Sequence, residues 1–147
     1  MVDVSLKRPT VRMARARALV SLGRAAFHAL DVAANRKGDA LAVARLAGIQ
    51  AAKRTAEWIP LCHPLAFDSV AVTLTPRAAS STVAITTEVK GTGKTGYEME
   101  ALVAASAAAL TLYDMCKAAD KGIEIRELAL LEKTGGKSGR WCRGQAG

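Results

Sequence analysis

Aromatic residues are scarce: two Phe, two Trp and two Tyr in 147 residues. Alanine, valine and leucine must therefore pack the core, and stacking platforms for single-stranded nucleic acid are few. There are three cysteines, Cys62, Cys116 and Cys142. Odd in number and widely spaced, they suggest neither a disulfide framework nor a CxxC metal site, and they fit a reducing cytoplasm. No uninterrupted apolar run reaches the ~18 residues of a membrane-spanning helix. The start, Met1-Val-Asp-Val-Ser-Leu-Lys-Arg-Pro9, has no apolar signal core followed by a cleavage site.

The chain is 50% hydrophobic, which is globular composition, and its length suits one domain around one core. Lys and Arg total 21 against 13 acids, a net charge of +8. That excess favours an anionic partner: nucleic acid, a membrane surface or a phosphorylated metabolite. Lys133, Lys137, Arg140 and Arg143 lie in an acid-free stretch that ends the chain. Residues 1–140 read as one catalytic domain and 141–147 as a flexible tail.

Thr10–Leu22 alternates small and basic residues. Period two favours a strand, although Ala and Arg favour a helix; a strand is expected. Arg24–Ala33 reads as a short helix. Gly38-Asp39 opens a longer one to about Trp58, with Asp39 as its N-cap and Pro60 and Pro64 beyond its end. Leu41, Ala44, Gly48, Ala52, Thr55 and Ile59 share a face, small enough for close packing on a sheet. Phe67–Thr75 and Thr82–Val89 alternate as a hairpin across Pro76–Ser81. Gly91–Gly96 is a loop, Tyr97–Ala119 a helix, Ile123–Leu131 a last strand, and Gly135–Gly139 a loop mobile by composition. The order predicts an α+β fold, a ferredoxin-like β-α-β-β-α-β plait with an antiparallel sheet. Helices on one face would leave the other sheet face open, with Val and Ala suggesting that another subunit covers it.

Two segments imitate a P-loop, Gly91-Thr-Gly-Lys-Thr-Gly96 and Gly135-Gly-Lys-Ser-Gly139. The motif needs a further glycine where this chain has Glu88 and Leu131, so both fail. Each could still cradle a phosphate through backbone N–H groups and a lysine, or be a plain turn.

On the helix after Tyr97, Met99, Val103, Ser106, Leu110, Asp114 and Lys117 lie within about 80° of one another. The helix reads as buried almost all round, which would make the Asp114–Lys117 pair costly unless matched. Glu98 and Glu100 complement the dipole at its N-terminus; two carboxylates there could also accept N–H groups of a guanine-like edge. His63 stands in a stiff loop between Pro60 and Pro64, with no second His or spaced Cys to make a metal site. Lys37 precedes a helix N-terminus, where the dipole should depress its pKa and suit it to acid–base work or anion binding.

Several of these segments resemble the family of cyclic pyranopterin monophosphate synthase, the molybdenum cofactor biosynthesis protein C. They are Met1-Val-Asp-Val-Ser, Lys37-Gly-Asp, Ala44–Thr55, Ile59-Pro-Leu-Cys-His-Pro-Leu65, Thr92–Leu102, Leu110-Thr-Leu-Tyr-Asp-Met-Cys-Lys117 and Lys133-Thr-Gly-Gly-Lys-Ser-Gly139. They span nearly the whole chain.

The resemblance implies a lyase that converts 3′,8-cyclo-7,8-dihydroguanosine 5′-triphosphate to cyclic pyranopterin monophosphate and pyrophosphate. It also implies a homohexamer, a trimer of dimers with active sites between subunits. By position it implies catalytic roles for Asp114, Lys117 and Lys37. Substrate contacts are implied for Leu61, Cys62, His63, Met99, Glu100 and Glu98, and a phosphate contact for Lys53. No redox cofactor or protein-bound metal is called for, although a triphosphate usually arrives with Mg²⁺. Two rivals carry distinct expectations. A nucleic-acid module would bind with steep salt dependence, and an assembly subunit would be indifferent to loss of Lys37 or Asp114. Neither nucleic acid nor membrane is the expected partner.

Overall fold

Strand β1 (Thr10–Ser21) shows why alternation overrides helix propensity here. Ala14, Ala16, Ala18 and Val20 are buried, while Arg15 and Arg17 point outward. A helix would scatter those alanines; a strand gathers them on one face. That face receives helix α4 (Glu98–Cys116), whose Ala101, Ala104, Ala105, Ala108 and Ala109 are fully buried. Alanine against alanine lets the helix lie close to the sheet.

The computed structural model describes residues 1–31, 33 and 35–144. The other elements are α1 (Gly23–His28), α2 (Ala40–Ala52), α3 (Thr55–Trp58), β2 (Ser69–Arg77), β3 (Thr82–Gly93), β4 (Glu124–Thr134) and β5 (Trp141–Cys142). Their sheet order is β2-β3-β1-β4-β5, with every neighbouring pair antiparallel. β1, α2, β2, β3, α4 and β4 form the expected β-α-β-β-α-β plait, with both long helices on one face.

Local departures from the sequence reading have local causes. Asp39 caps α2 as expected, its Oδ1 accepting the Ala42 N–H at 2.9 Å. The helix then breaks at Lys53–Arg54 rather than running to Trp58. Thr55 donates its hydroxyl to the Ala52 carbonyl at 3.0 Å, occupying an acceptor that a continuous helix would use. Gly48 explains the close crossing of α2 and α4: a Cβ there would sit 2.9 Å from the Ala104 carbonyl oxygen. The helix expected over Arg24–Ala33 ends at His28, and position 32 lies outside the described residues.

β3 runs through Gly93, so half of the expected Gly91–Gly96 loop is strand, paired with Thr10–Arg12. Its glycine is required by a neighbour. A Cβ on Gly91 would lie 2.6 Å from the Tyr97 hydroxyl oxygen and 2.9 Å from the Phe67 Cα. The segment expected to be a free tail begins with structure, because Trp141–Cys142 pair with Lys133–Glu132. Residues 145–147 lie outside the described residues.

Most of the strand valines and alanines face the helices, and the outer sheet face is mixed, with Val11, Ala71 and Ala84 among polar side chains. It carries Arg15, Arg17, Thr73, Thr86, Glu88 and Lys90. Arg15 pairs with Glu88 and Glu132, Lys90 with Glu88, and Arg17 with Glu127. Exposed apolar side chains lie both on the helical layer, at Val43, Leu46, Trp58 and Leu110, and on the strands, at Val11, Ile125, Leu128 and Trp141. α4 is long and apolar enough to cross a membrane by length and composition alone. In this fold it is the central core helix, with 61% of its apolar window buried inside the chain.

Candidate active site

The N-terminus of α4 and the loop before β2 build one cleft of about 460 Å³, lined by Leu61, Cys62, His63, Glu98, Met99 and Glu100. Tyr97 joins the two segments. It is fully buried, donates its hydroxyl to the Ala66 carbonyl at 2.9 Å, and meets the Phe67 ring edge-on. The loop carrying His63 is thereby fixed to the turn that starts α4.

Glu100 is the informative member of this cleft. It is only 3% exposed, and its Oε2 has no hydrogen-bond partner. Burial, reinforced by the nearby Glu98 charge, pushes its carboxyl up to about 6. A buried carboxyl oxygen without a donor is costly. It is a ready acceptor for ligand N–H groups. Burial first, and Glu100 second, raise the Cys62 thiol, so this cysteine is held as a neutral thiol rather than a thiolate.

A second cleft of about 770 Å³ adjoins the first and is lined by Lys7, Arg8, Arg12, Lys94, Lys133 and Lys137, with Glu98 its one acid. The two glycine-rich segments that fail the P-loop pattern singly meet here: Lys94–Gly96 from one, and Gly136, Lys137 and Ser138 from the other. Gly136 is needed at this point, with φ at 72° and a Cβ position 2.5 Å from an Arg12 guanidinium nitrogen. Such a cleft, rich in cations and backbone amides, suits a polyphosphate.

The opposite end of α4 carries a cluster of Lys37, Asp114 and Lys117. Lys37 Nζ donates to Asp114 Oδ2 at 2.7 Å, and Lys117 Nζ lies 2.7 Å from Oδ1. The Lys117 hydrogen bond, then that of Lys37, holds the Asp114 carboxyl down at about 2, and Asp114 in turn raises Lys117. Two sequence expectations need correction. The pair is not buried: Asp114 and Lys117 side chains are 55% and 48% exposed, because the stripe from Met99 to Lys117 turns outward past Ser106. Nor does Lys37 oppose a helix dipole. Its ammonium also donates to the Asp114 main-chain carbonyl at 2.8 Å, in the last turn of α4, where a cation is favourable.

The predicted residues thus fall into two groups. Glu98 and Asp114 are separated along α4 by about 24 Å, at ~1.5 Å rise per residue. Lys53 stands near the first group, across a groove that it shares with Pro64, Leu65 and Glu100. Sequence reading missed Lys7, Arg8, Arg12 and Tyr97, and had Lys94 only as the lysine of a glycine-rich loop. The Lys7-Arg8 doublet before the first strand was the available signal, whereas the role of Tyr97 is set by tertiary contacts. Among the described residues, no three His, Cys, Asp or Glu side chains converge as a metal site. The three cysteines are free.

The molecule is a ferredoxin-like plait that carries, among the described residues, a lysine–aspartate–lysine cluster, a pocket with a buried carboxyl and a cation-lined cleft. The chain belongs to the MoaC family, whose model matches residues 1–136. It is 57% identical over 143 residues to the cyclic pyranopterin monophosphate synthase of Heliobacterium modesticaldum, covering 97% of this chain and 90% of that protein. The identically named protein of Rhodospirillum rubrum is 53% identical over 141 residues, covering 96% and 85%.

Proposed function

We propose that this protein converts 3′,8-cyclo-7,8-dihydroguanosine 5′-triphosphate to cyclic pyranopterin monophosphate and pyrophosphate, a lyase step in molybdenum cofactor biosynthesis. Family membership and the names of the two relatives support the reaction. The structural observation that carries it is the junction of an orphaned buried carboxyl at Glu100 with a cation-lined cleft. A guanine-derived ring offers N–H donors to the first, and a triphosphate offers anionic oxygens to the second.

In this reading Glu100 and Glu98 accept ring N–H groups, with Leu61, Cys62, His63 and Met99 forming the walls. The basic cleft holds the phosphates, and Lys53 lies beside the Glu100 end. Lys37 and Lys117 donate and recover protons during ring opening and pterin closure. Asp114, ionised at neutral pH, keeps the two ammonium groups together. Mg²⁺ would be carried by the triphosphate's own oxygens. The reading is of a cytoplasmic enzyme.

The ~24 Å between the two groups far exceeds the ~3 Å contact that proton transfer needs. The reading therefore sets the Lys37–Asp114–Lys117 cluster of one chain beside the Glu100 cleft of another. That is consistent with a homohexamer built as a trimer of dimers.

The test is to supply the cyclised GTP derivative to purified protein and measure pyrophosphate and the cyclic phosphate product together. Catalytic formation of both in equal amounts is the expected result. A folded, oligomeric sample that forms neither would defeat the reading and leave a binding or assembly role.

A further inference from the structure

The two clefts share a wall of four residues, Lys7, Thr95, Gly96 and Glu98. Given the reaction proposed above, the ring occupies one cleft and the terminal phosphates the other. The α-phosphorus then falls at the shared wall. Lys7 is its only cation.

Of the neighbouring cations, Arg12, Lys94 and Lys133 are committed elsewhere, whereas Arg8 and Lys137 lie in the second cleft only. Arg12 donates Nε to the Gly93 carbonyl at 2.9 Å and Nη2 to the Lys94 carbonyl at 3.3 Å. Lys94 donates Nζ to the Ser5 carbonyl at 2.9 Å. Lys133 donates to Ser138 Oγ at 2.9 Å and lies 3.4 Å from Glu98. These bonds fix the three side chains as walls of the cleft. Lys7 bonds through its main-chain N–H, to the Val4 carbonyl at 3.1 Å, and its ammonium has no partner among the described residues. The segment before it is pinned: Asp3 Oδ1 accepts the Ser5 N–H at 2.8 Å, and Lys94 holds the Ser5 carbonyl. An uncommitted ammonium thus stands two residues from an anchored point.

We propose that Lys7 is a catalytic residue of the phosphoryl step, its ammonium set against the non-bridging oxygens of the α-phosphate. This rests on the reaction proposed above. In that step a ribose-derived hydroxyl oxygen attacks the α-phosphorus, forming the new P–O bond. The bond from the α-phosphorus to the α,β-bridging oxygen breaks, and its electron pair leaves with pyrophosphate. The hydroxyl proton passes to a base in the site, and nothing is oxidised or reduced. Charge shifts onto the phosphoryl oxygens and the leaving oxygen, so a fixed cation there favours the transition state over the ground state.

The experiment compares wild type, Lys7→Met and Lys7→Arg with the cyclised GTP derivative, following substrate loss, pyrophosphate and kcat against KM. Lys7→Met should lower kcat for pyrophosphate release about 100- to 1000-fold while KM changes less than about threefold. Substrate should still be consumed into a species that retains three phosphates. Lys7→Arg should recover much of the rate. The side chain is exposed on an N-terminal arm, so an unchanged thermal midpoint will show that the fold is intact. Wild-type kcat in Lys7→Met, a rise in KM alone, or equal loss of substrate consumption and pyrophosphate release would each overturn the assignment. If the wild type makes neither product, the reaction itself is wrong and this role goes with it.

Discussion

Lys37 holds Asp114 at two points, donating to the carboxylate Oδ2 at 2.7 Å and to the same residue's main-chain carbonyl at 2.8 Å. Lys117 takes the other carboxylate oxygen. With its carboxyl at about 2, Asp114 is ionised across the neutral range. It is an anion held between two ammonium groups, and in the proposed reaction the lysines would carry the protons.

Replacing Asp114 by Asn should therefore act through the lysines. Without the anion, Lys117 loses the interaction that raises its pKa, so the ammonium deprotonates at lower pH. The alkaline limb of the kcat/KM profile should move to lower pH, and turnover should fall about 10²–10⁴-fold. An alkaline limb in its wild-type position would show that the aspartate does not control the acid.

Lys37→Ala and Lys117→Ala should each cripple turnover, again about 10²–10⁴-fold, while sparing the fold, since both side chains are about half exposed. Steady-state rates beside thermal melts will separate the two effects. Near-normal turnover in either variant would remove that lysine from the chemistry.

Glu100 links the site to stability. Its folded-state carboxyl stands at about 6, above the ordinary 4.5, so the folded chain binds the proton more tightly than the unfolded chain. The group's contribution is fully present below about 4.5 and is lost as pH rises through about 6. Glu100→Gln should therefore unfold at higher urea than wild type at pH 8, by up to about 2 kcal/mol. The advantage should vanish near pH 4.5. Turnover should fall in the same variant, because the amide presents an N–H where the ring needs an acceptor.

Gly48 tests the helix crossing. A side chain there meets the Ala104 carbonyl at 2.9 Å and the Val72 methyls at 3.2–3.3 Å. Gly48→Val should cost about 1–3 kcal/mol in urea denaturation, and a neutral result would mean that α2 can slide freely over α4. Tyr97→Phe removes the bond to Ala66, a loss of about 1 kcal/mol. It should also raise KM, because the His63 loop loses one tie to α4.

Much of the fold was legible because alternation and capping are local. The Ala–Arg strand, the Asp39 cap and the paired β2 and β3 patterns each announce themselves within ten or so residues. The break at Thr55 and the extension of β3 were not legible, because a hydroxyl-to-carbonyl bond decided the first and pairing with the distant Thr10–Arg12 the second. Lys37, Asp114 and Lys117 were picked from sequence, and the structure brings them into contact. The burial that seemed to single out Asp114 and Lys117 was an error of extrapolation: an alanine-rich helix need not be covered on its remaining side. The basic cleft was legible in part: a phosphate-holding pocket and the two glycine-rich loops were expected, but Lys7, Arg8 and Arg12 were not, because the cleft draws its cations from separate segments.

The nineteen residues of α4 act as a gauge between the Glu98–Glu100 end and the Asp114–Lys117 end. One inserted residue would turn everything beyond it by about 100° and advance it about 1.5 Å, taking Asp114 out of phase with Lys37. Seven would restore the phase to within about 20° but displace the cluster by roughly 10 Å. The alanines along this helix are individually exchangeable for residues of similar size, but their number is not.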